Sequence, residues 1–76
     1  MNLREAPVGK PLQVTEIVES PQSVRMQSMG IRLGANLTIL NRAASGSRVI
    51  RVGDARMSVA AEIADSIQVR ELSRNV

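Results

Sequence analysis

Apolar residues alternate with polar ones in four separate stretches of this chain, the period of half-buried β-strands. The first runs from about Leu12 to Glu19, where Leu12 and Val14 share one face. Ile17 falls on the opposite parity, and such a slip predicts a bulge or strong bend in the strand. From Leu37 to Arg42, Leu37 and Ile39 alternate with Thr38 after Asn36. Arg48 to Val52 forms a third strand and stops at Gly53-Asp54, a two-residue hairpin signal that opposes Val52 to Ala55, Ile50 to Met57 and Arg48 to Val59. In that register Ile50, Val52, Ala55 and Met57 lie on one face, and Val49, Arg51, Arg56 and Ser58 on the other. Ile67 and Val69, alternating with Gln68 and Arg70, close the series.

Helical spacing is confined to short pieces between the strands. Ser20-Pro21 is a helix start, since a serine oxygen can accept an early backbone N–H and proline fits the first helical position. The helix is expected to run to about Met29, with Met26 and Met29 as its buried stripe and Val24 on another face. Gly30 suits a left-handed stop, and Gly34 a second corner. Ala60 to Ala64 is good for one helical turn. Leu3 is an apolar anchor near the start, Val8 to Pro11 and Ala43 to Ser47 are turn and loop chemistry, and Ser73 to Val76 is a frayed tail. Five short strands with one small helix after the first predict a partly closed SH3-like barrel forming a single domain over residues 1–76. A ferredoxin-like arrangement would need a longer second helix.

With 76 residues the chain buries only ~60% of its unfolded surface, which leaves a thin core and no room for a deep catalytic cleft. Phe, Trp and Tyr are absent, so the 43% of hydrophobic residues are aliphatic or sulfur-containing. Ten basic against seven acidic residues give a net charge of +3, a mild bias toward acidic partners. The lack of cysteine removes disulfides, thiolate metal sites and a thiol nucleophile; the lack of histidine removes the commonest general base and transition-metal ligand. No apolar run approaches the ~20 residues of a membrane span, and the N-terminus has no secretory core, so a soluble cytoplasmic protein is expected.

Little chemistry is marked. Several serines have no partnering base, and the one lysine, Lys10, sits in a turn beside Pro11. Glu62 and Asp65, three apart, could share a hard ion, yet no ion-binding loop pattern surrounds them and a solvated face is the plainer reading; Asp54 is accounted for by the hairpin. Met26 and Met29 as thioether ligands give way to core packing. No phosphate-cradling glycine motif occurs, and base-stacking aromatics are missing. Surfaces remain. The hairpin register sets Arg51 opposite Arg56 on the outward face, either splayed into solvent or forming an anion-facing patch that Arg42 or Arg48 could extend. Val24, Ile31 and Leu33 flank the Gly30 corner; Ile31 plugging the barrel end is the plain reading, an apolar partner surface the functional one. Arg51, Arg56, Val24, Ile31 and Leu33 are therefore the candidate partner-contact residues, and no catalytic, cofactor or metal residue is assigned.

Arg25-Met26-Gln27-Ser28-Met29-Gly30-Ile31-Arg32-Leu33-Gly34 resembles the R-L-x-x-L-G-L-x-P-G segment of the FeoA family, small SH3-like proteins of bacterial ferrous iron uptake. Arg56-Met57-Ser58-Val59, with Glu62, Ala64, Ile67 and Val69, is similar to that family's closing segment, and Val8-Gly9 through Val14 and Ile17 to its opening. The likeness covers nearly the whole chain through small and aliphatic residues. Leu33 stands where the family prefers Pro, Ala60 where a basic residue often follows the strand, and Gln22 where the helix usually has Leu. The resemblance implies a cytoplasmic accessory protein, without catalysis or cofactor, that binds the membrane iron transporter FeoB, which carries a GTP-binding domain, and modulates it. A GTPase-activating role would require an arginine such as Arg51 or Arg56 against developing phosphate charge. The alternative is a nucleic-acid-associated or metal-regulator-type domain, since FeoA-like modules also end metal-responsive repressors. Weak homo-oligomerisation through free sheet edges is a further expectation.

Overall fold

The computed structural model describes residues 1–72; the tail expected at Ser73 to Val76 lies outside them. Its elements are β1 (Pro11–Ile17), α1 (Pro21–Ser28), β2 (Asn36–Arg42), β3 (Arg48–Val52), β4 (Ala55–Val59), α2 (Ala61–Ala64) and β5 (Ile67–Glu71). The five strands make one antiparallel sheet in the order β4-β3-β2-β1-β5. The mainly β architecture matches the sequence pattern. The sheet is nevertheless not closed, because no β4–β5 ladder forms among the described residues.

The bulge signalled by Ile17 is present. Val14 pairs with Val69 and Glu16 with Gln68, so Thr15 is the extra residue on β1. The bend lets Ile17 pair with Ile67 and pack against the core despite its parity. A second bulge, at Leu40, separates the Ile39–Ile50 and Asn41–Val49 pairs. The β3–β4 hairpin has the register expected, with Val52 opposite Ala55 through Arg48 opposite Val59. Gly53 has φ +60° and Asp54 a negative φ, the pattern of a type II′ turn whose twist suits adjoining strands.

Helix α1 starts on a reciprocal serine cap. Ser20 Oγ accepts the Ser23 N–H at 3.1 Å, and Ser23 Oγ accepts the Ser20 N–H at 2.8 Å. Only Ser23 and Met26 are buried on this helix. Met29, expected in the core, is the C-cap residue and 45% exposed, because the helical turn ends before its side chain can follow Met26 inward. At Gly30 φ reaches +106°, and the chain turns so that the Ile31 N–H donates to Met26 O. Ile31 is thereby fully buried.

The N-terminal residues do more than anchor. The Leu3 N–H donates to Ile67 O and the Val69 N–H to Met1 O, with Asn2 bridging Gln68, so the first three residues line the outer edge of β5. Leu3 itself is completely buried. Together with Leu12, Ile39, Ile50, Val59 and Ile67 it forms the aliphatic centre of the core.

Candidate partner interface

Arg51 and Arg56 lie directly opposite each other on β3 and β4, on the face away from Ile50 and Met57. Thr38 of β2 faces Arg51 from the other side, so the row across the outer sheet reads Thr38, Arg51, Arg56. A two-residue turn makes Val52 and Ala55 a hydrogen-bonded pair; by alternation Arg51 and Arg56 form a non-hydrogen-bonded pair, the arrangement that brings side chains closest. Both are exposed. Among the described residues the single ion pair joins Arg4 to Asp65 at 2.9 Å, and neither Arg51 nor Arg56 has a hydrogen-bond acceptor. Asp54, in the adjoining turn, does not pair with either. Two uncompensated guanidinium groups on adjacent strands repel, and the arrangement is relieved by an anion.

The other basic residues considered for this patch are committed elsewhere. Arg48 has the parity of Ile50 and Val52, which turns it to the inner face, and it is only 8% exposed. Its guanidinium donates through Nη1 to Gly46 O and through Nη2 to Arg4 O, both at 2.6 Å, tying the 43–47 loop to the N-terminal segment. Its Nε has no partner among the described residues. Arg42 donates to Ala6 O at 3.3 Å.

Of the apolar candidates, Val24 and Leu33 are exposed at 61% and 66%, whereas Ile31, just past the Gly30 corner, is fully buried in the core, as the plain reading had it, and has no surface to offer a partner. A Cβ built on Gly30 would touch Val52 Cγ1 at 3.4 Å, which sets the end of α1 against the inner side of β3. The helix corner and the arginine pair therefore lie on opposite sides of the sheet, and the structure does not merge the two groups into one surface. The sequence missed the backbone part of the site. β4 is an edge strand, and the N–H and C=O groups of Arg56 and Ser58, which alternation turns away from β3, have no backbone partner among the described residues.

Catalytic geometry is not assembled around these residues. Surface hollows of about 320, 390 and 350 Å³ among the described residues are lined respectively around Arg4 and Asp65, Glu62 and Ser66, and Glu19 and Arg32. Asp65 is taken up by Arg4 and does not converge with Glu62 on an ion, and no group of three His, Cys, Asp or Glu residues could hold a metal among the described residues. No helix among them is long and apolar enough to cross a membrane.

Comparison with known proteins bears on the fold and the family. No curated protein matches the sequence. A crystal structure of an iron uptake regulatory protein, FeoA, is 27% identical, covers 95% of this chain and 97% of its own, and superposes with a TM-score of 0.84. Zinc-bound FeoA from Stenotrophomonas maltophilia, a prokaryotic SH3 domain protein, is 18% identical over 92% of this chain and 89% of its own, with a TM-score of 0.72, and shares the fold. A manganese-dependent transcriptional repressor contains the same unit in 41% of its length, at 27% identity over 95% of this chain and a TM-score of 0.83. The fold is thus SH3-like, and since the FeoA domain model matches residues 1–71, the chain belongs to the FeoA family.

Proposed function

We propose that this protein is a non-catalytic accessory factor of ferrous iron uptake that works in the cytoplasm by binding a FeoB-like membrane transporter and modulating it. The match of the FeoA domain to residues 1–71 carries the reading. An activating role in ferrous iron transport has been suggested for the Stenotrophomonas maltophilia relative. The absence of histidine and cysteine, and a surface whose unusual feature is an unneutralised arginine pair, fit a module that docks and does no chemistry. The contact is assigned to Arg51 and Arg56, with Val24 and Leu33 as secondary apolar contacts on the other side of the sheet. The test is co-purification with the transporter from cells expressing both. Retention by the wild-type chain and loss on the R51E/R56E double substitution are expected, and undiminished binding by the double variant rules the patch out.

A second reading, a metal-regulator-type domain acting near nucleic acid, draws on the manganese-dependent repressor that carries this fold. Phosphate contacts strengthen as salt falls, so a DNA or RNA mobility shift that grows at low salt would favour it. No shift at low salt disposes of it.

A further inference from the structure

The free edge of β4 and the arginine pair beside it make one composite site, and we propose that it receives an extended acidic segment of a partner protein as a sixth strand. The inference rests on the accessory-binding reading and specifies the chemistry of the contact. Three features converge. β4 ends the sheet, and the outward N–H and C=O groups of Arg56 and Ser58 are unpartnered among the described residues. An edge in this state is a template for main-chain pairing. Arg51 and Arg56 add two positive charges to the outer face with no carboxylate among the described residues to neutralise them. Met57, half-buried and packed against the core, presents an apolar rim on the inner face.

Strand geometry converts these features into a recognition pattern. Side chains of an added strand would alternate between the two faces. The residue opposite Arg56 would stand on the outer face, within reach of both guanidinium groups, and an Asp or Glu there relieves their repulsion. Its neighbours would fall on the inner face beside Ala55 and Met57, where apolar side chains are favoured. The segment is therefore extended, with acidic and apolar residues in alternation. A second copy of the β3–β4 hairpin does not meet this description, because it would bring its own Arg51 and Arg56 to the same face.

The probe is a blocked peptide alternating glutamate and valine, compared with its lysine-for-glutamate counterpart and a single-stranded oligonucleotide, each titrated into the full chain with amide exchange followed by NMR. The acidic peptide should slow exchange at Arg56 and Ser58 by about tenfold or more at saturation, and its affinity should fall severalfold as salt is raised. R51E/R56E should reverse the preference toward the lysine peptide. S58P, which removes only an outward-facing donor, should weaken binding of the acidic peptide while leaving the β3–β4 pairing intact. Should S58P not fold, the charge-reversed pair and the exchange rates still decide the matter. Equal binding of both peptides, protection centred away from β4, or binding of the oligonucleotide alone would overturn the proposal. Transporter co-purification that survives R51E/R56E and S58P would sink the edge site and leave the accessory role standing; a transporter never retained by the wild type would sink that role, whatever the peptides do.

Discussion

Arg48 gives the sharpest test of what holds this small open sheet and its N-terminal segment together. Its guanidinium is buried with no carboxylate partner among the described residues, and its charge is met by the carbonyls of Gly46 and Arg4 at 2.6 Å and, more weakly, Ser47 at 3.4 Å. Replacing it with Met keeps the apolar stem and deletes the charge. Two opposing effects then compete. Each charge-assisted bond contributes ~1.5–3 kcal/mol, so the two short ones are worth roughly 3–6 kcal/mol. Against this, Met releases the desolvation cost of a buried cation and the unpartnered Nε, and apolar replacement of buried ionic groups is often neutral or stabilising by ~1–4 kcal/mol. Here the carbonyls bridge two segments distant in sequence, and the N-terminal one also lines β5, so the bonds should win by about 2 kcal/mol. For a domain this size that lowers Tm by roughly 8–16 °C. With no aromatic residue to fluoresce, urea and thermal unfolding must be followed by far-UV circular dichroism. Faster amide exchange at Leu3 and Val69 should accompany the loss, since those amides bond between the N-terminal residues and β5. An R48M variant as stable as the wild type, with unchanged exchange at both amides, would refute the reasoning and make the guanidinium a passive passenger.

Three further outcomes follow from the same structure. Ile39→Ala, at a fully buried central position, should cost ~2–5 kcal/mol, a large part of the ~4–11 kcal/mol expected for a domain of this length, and urea unfolding would read it directly. Gly30→Ala should cost ~1–3 kcal/mol through its positive φ, with the 3.4 Å contact to Val52 adding little; an unchanged urea midpoint would contradict it. Replacing both Arg51 and Arg56 with Thr should stabilise the monomer by ~0.2–1 kcal/mol through lost repulsion and increase self-association in sedimentation velocity; a variant neither stabilised nor more associated would count against the pair as a guard on the edge.

The hairpin was legible because a two-residue turn fixes parity, and once Gly53-Asp54 is the turn every pair from Val52–Ala55 to Arg48–Val59 is determined. Ile17 betrayed the first bulge by breaking parity. The second, at Leu40, was hidden because Leu40 follows Ile39 and both are apolar, so a slip there leaves no polar residue visibly misplaced. Met29 misled for a different reason: three-residue spacing implies a shared face only while the helix lasts, and Gly30 ends it. Arg48 carried a signal that charge alone obscured, since the register opposing it to Val59 had already put it on the inner face. The strand-like pairing of residues 1–3 had no periodic signature, being set by long-range bonds to β5. For the candidate site, the arginine pair followed from the hairpin register, but the free edge beside it depends on the order of strands, which a local pattern does not encode.

That strand order gives the sheet two ends that are treated differently. The β5 edge is covered by the chain's own first residues, through main-chain bonds at Met1 and Leu3 and the Asn2–Gln68 bridge. The β4 edge has no such cover among the described residues, yet it is short and flanked by two like charges. An unprotected edge invites association with any extended chain, and charge is one of the ways natural sheets discourage it. A pair of arginines discourages selectively: it opposes another copy of itself and any basic segment, and tolerates an acidic one. The repulsion between Arg51 and Arg56, a small cost to the isolated domain, is then the feature that would keep the open edge available to one class of partner.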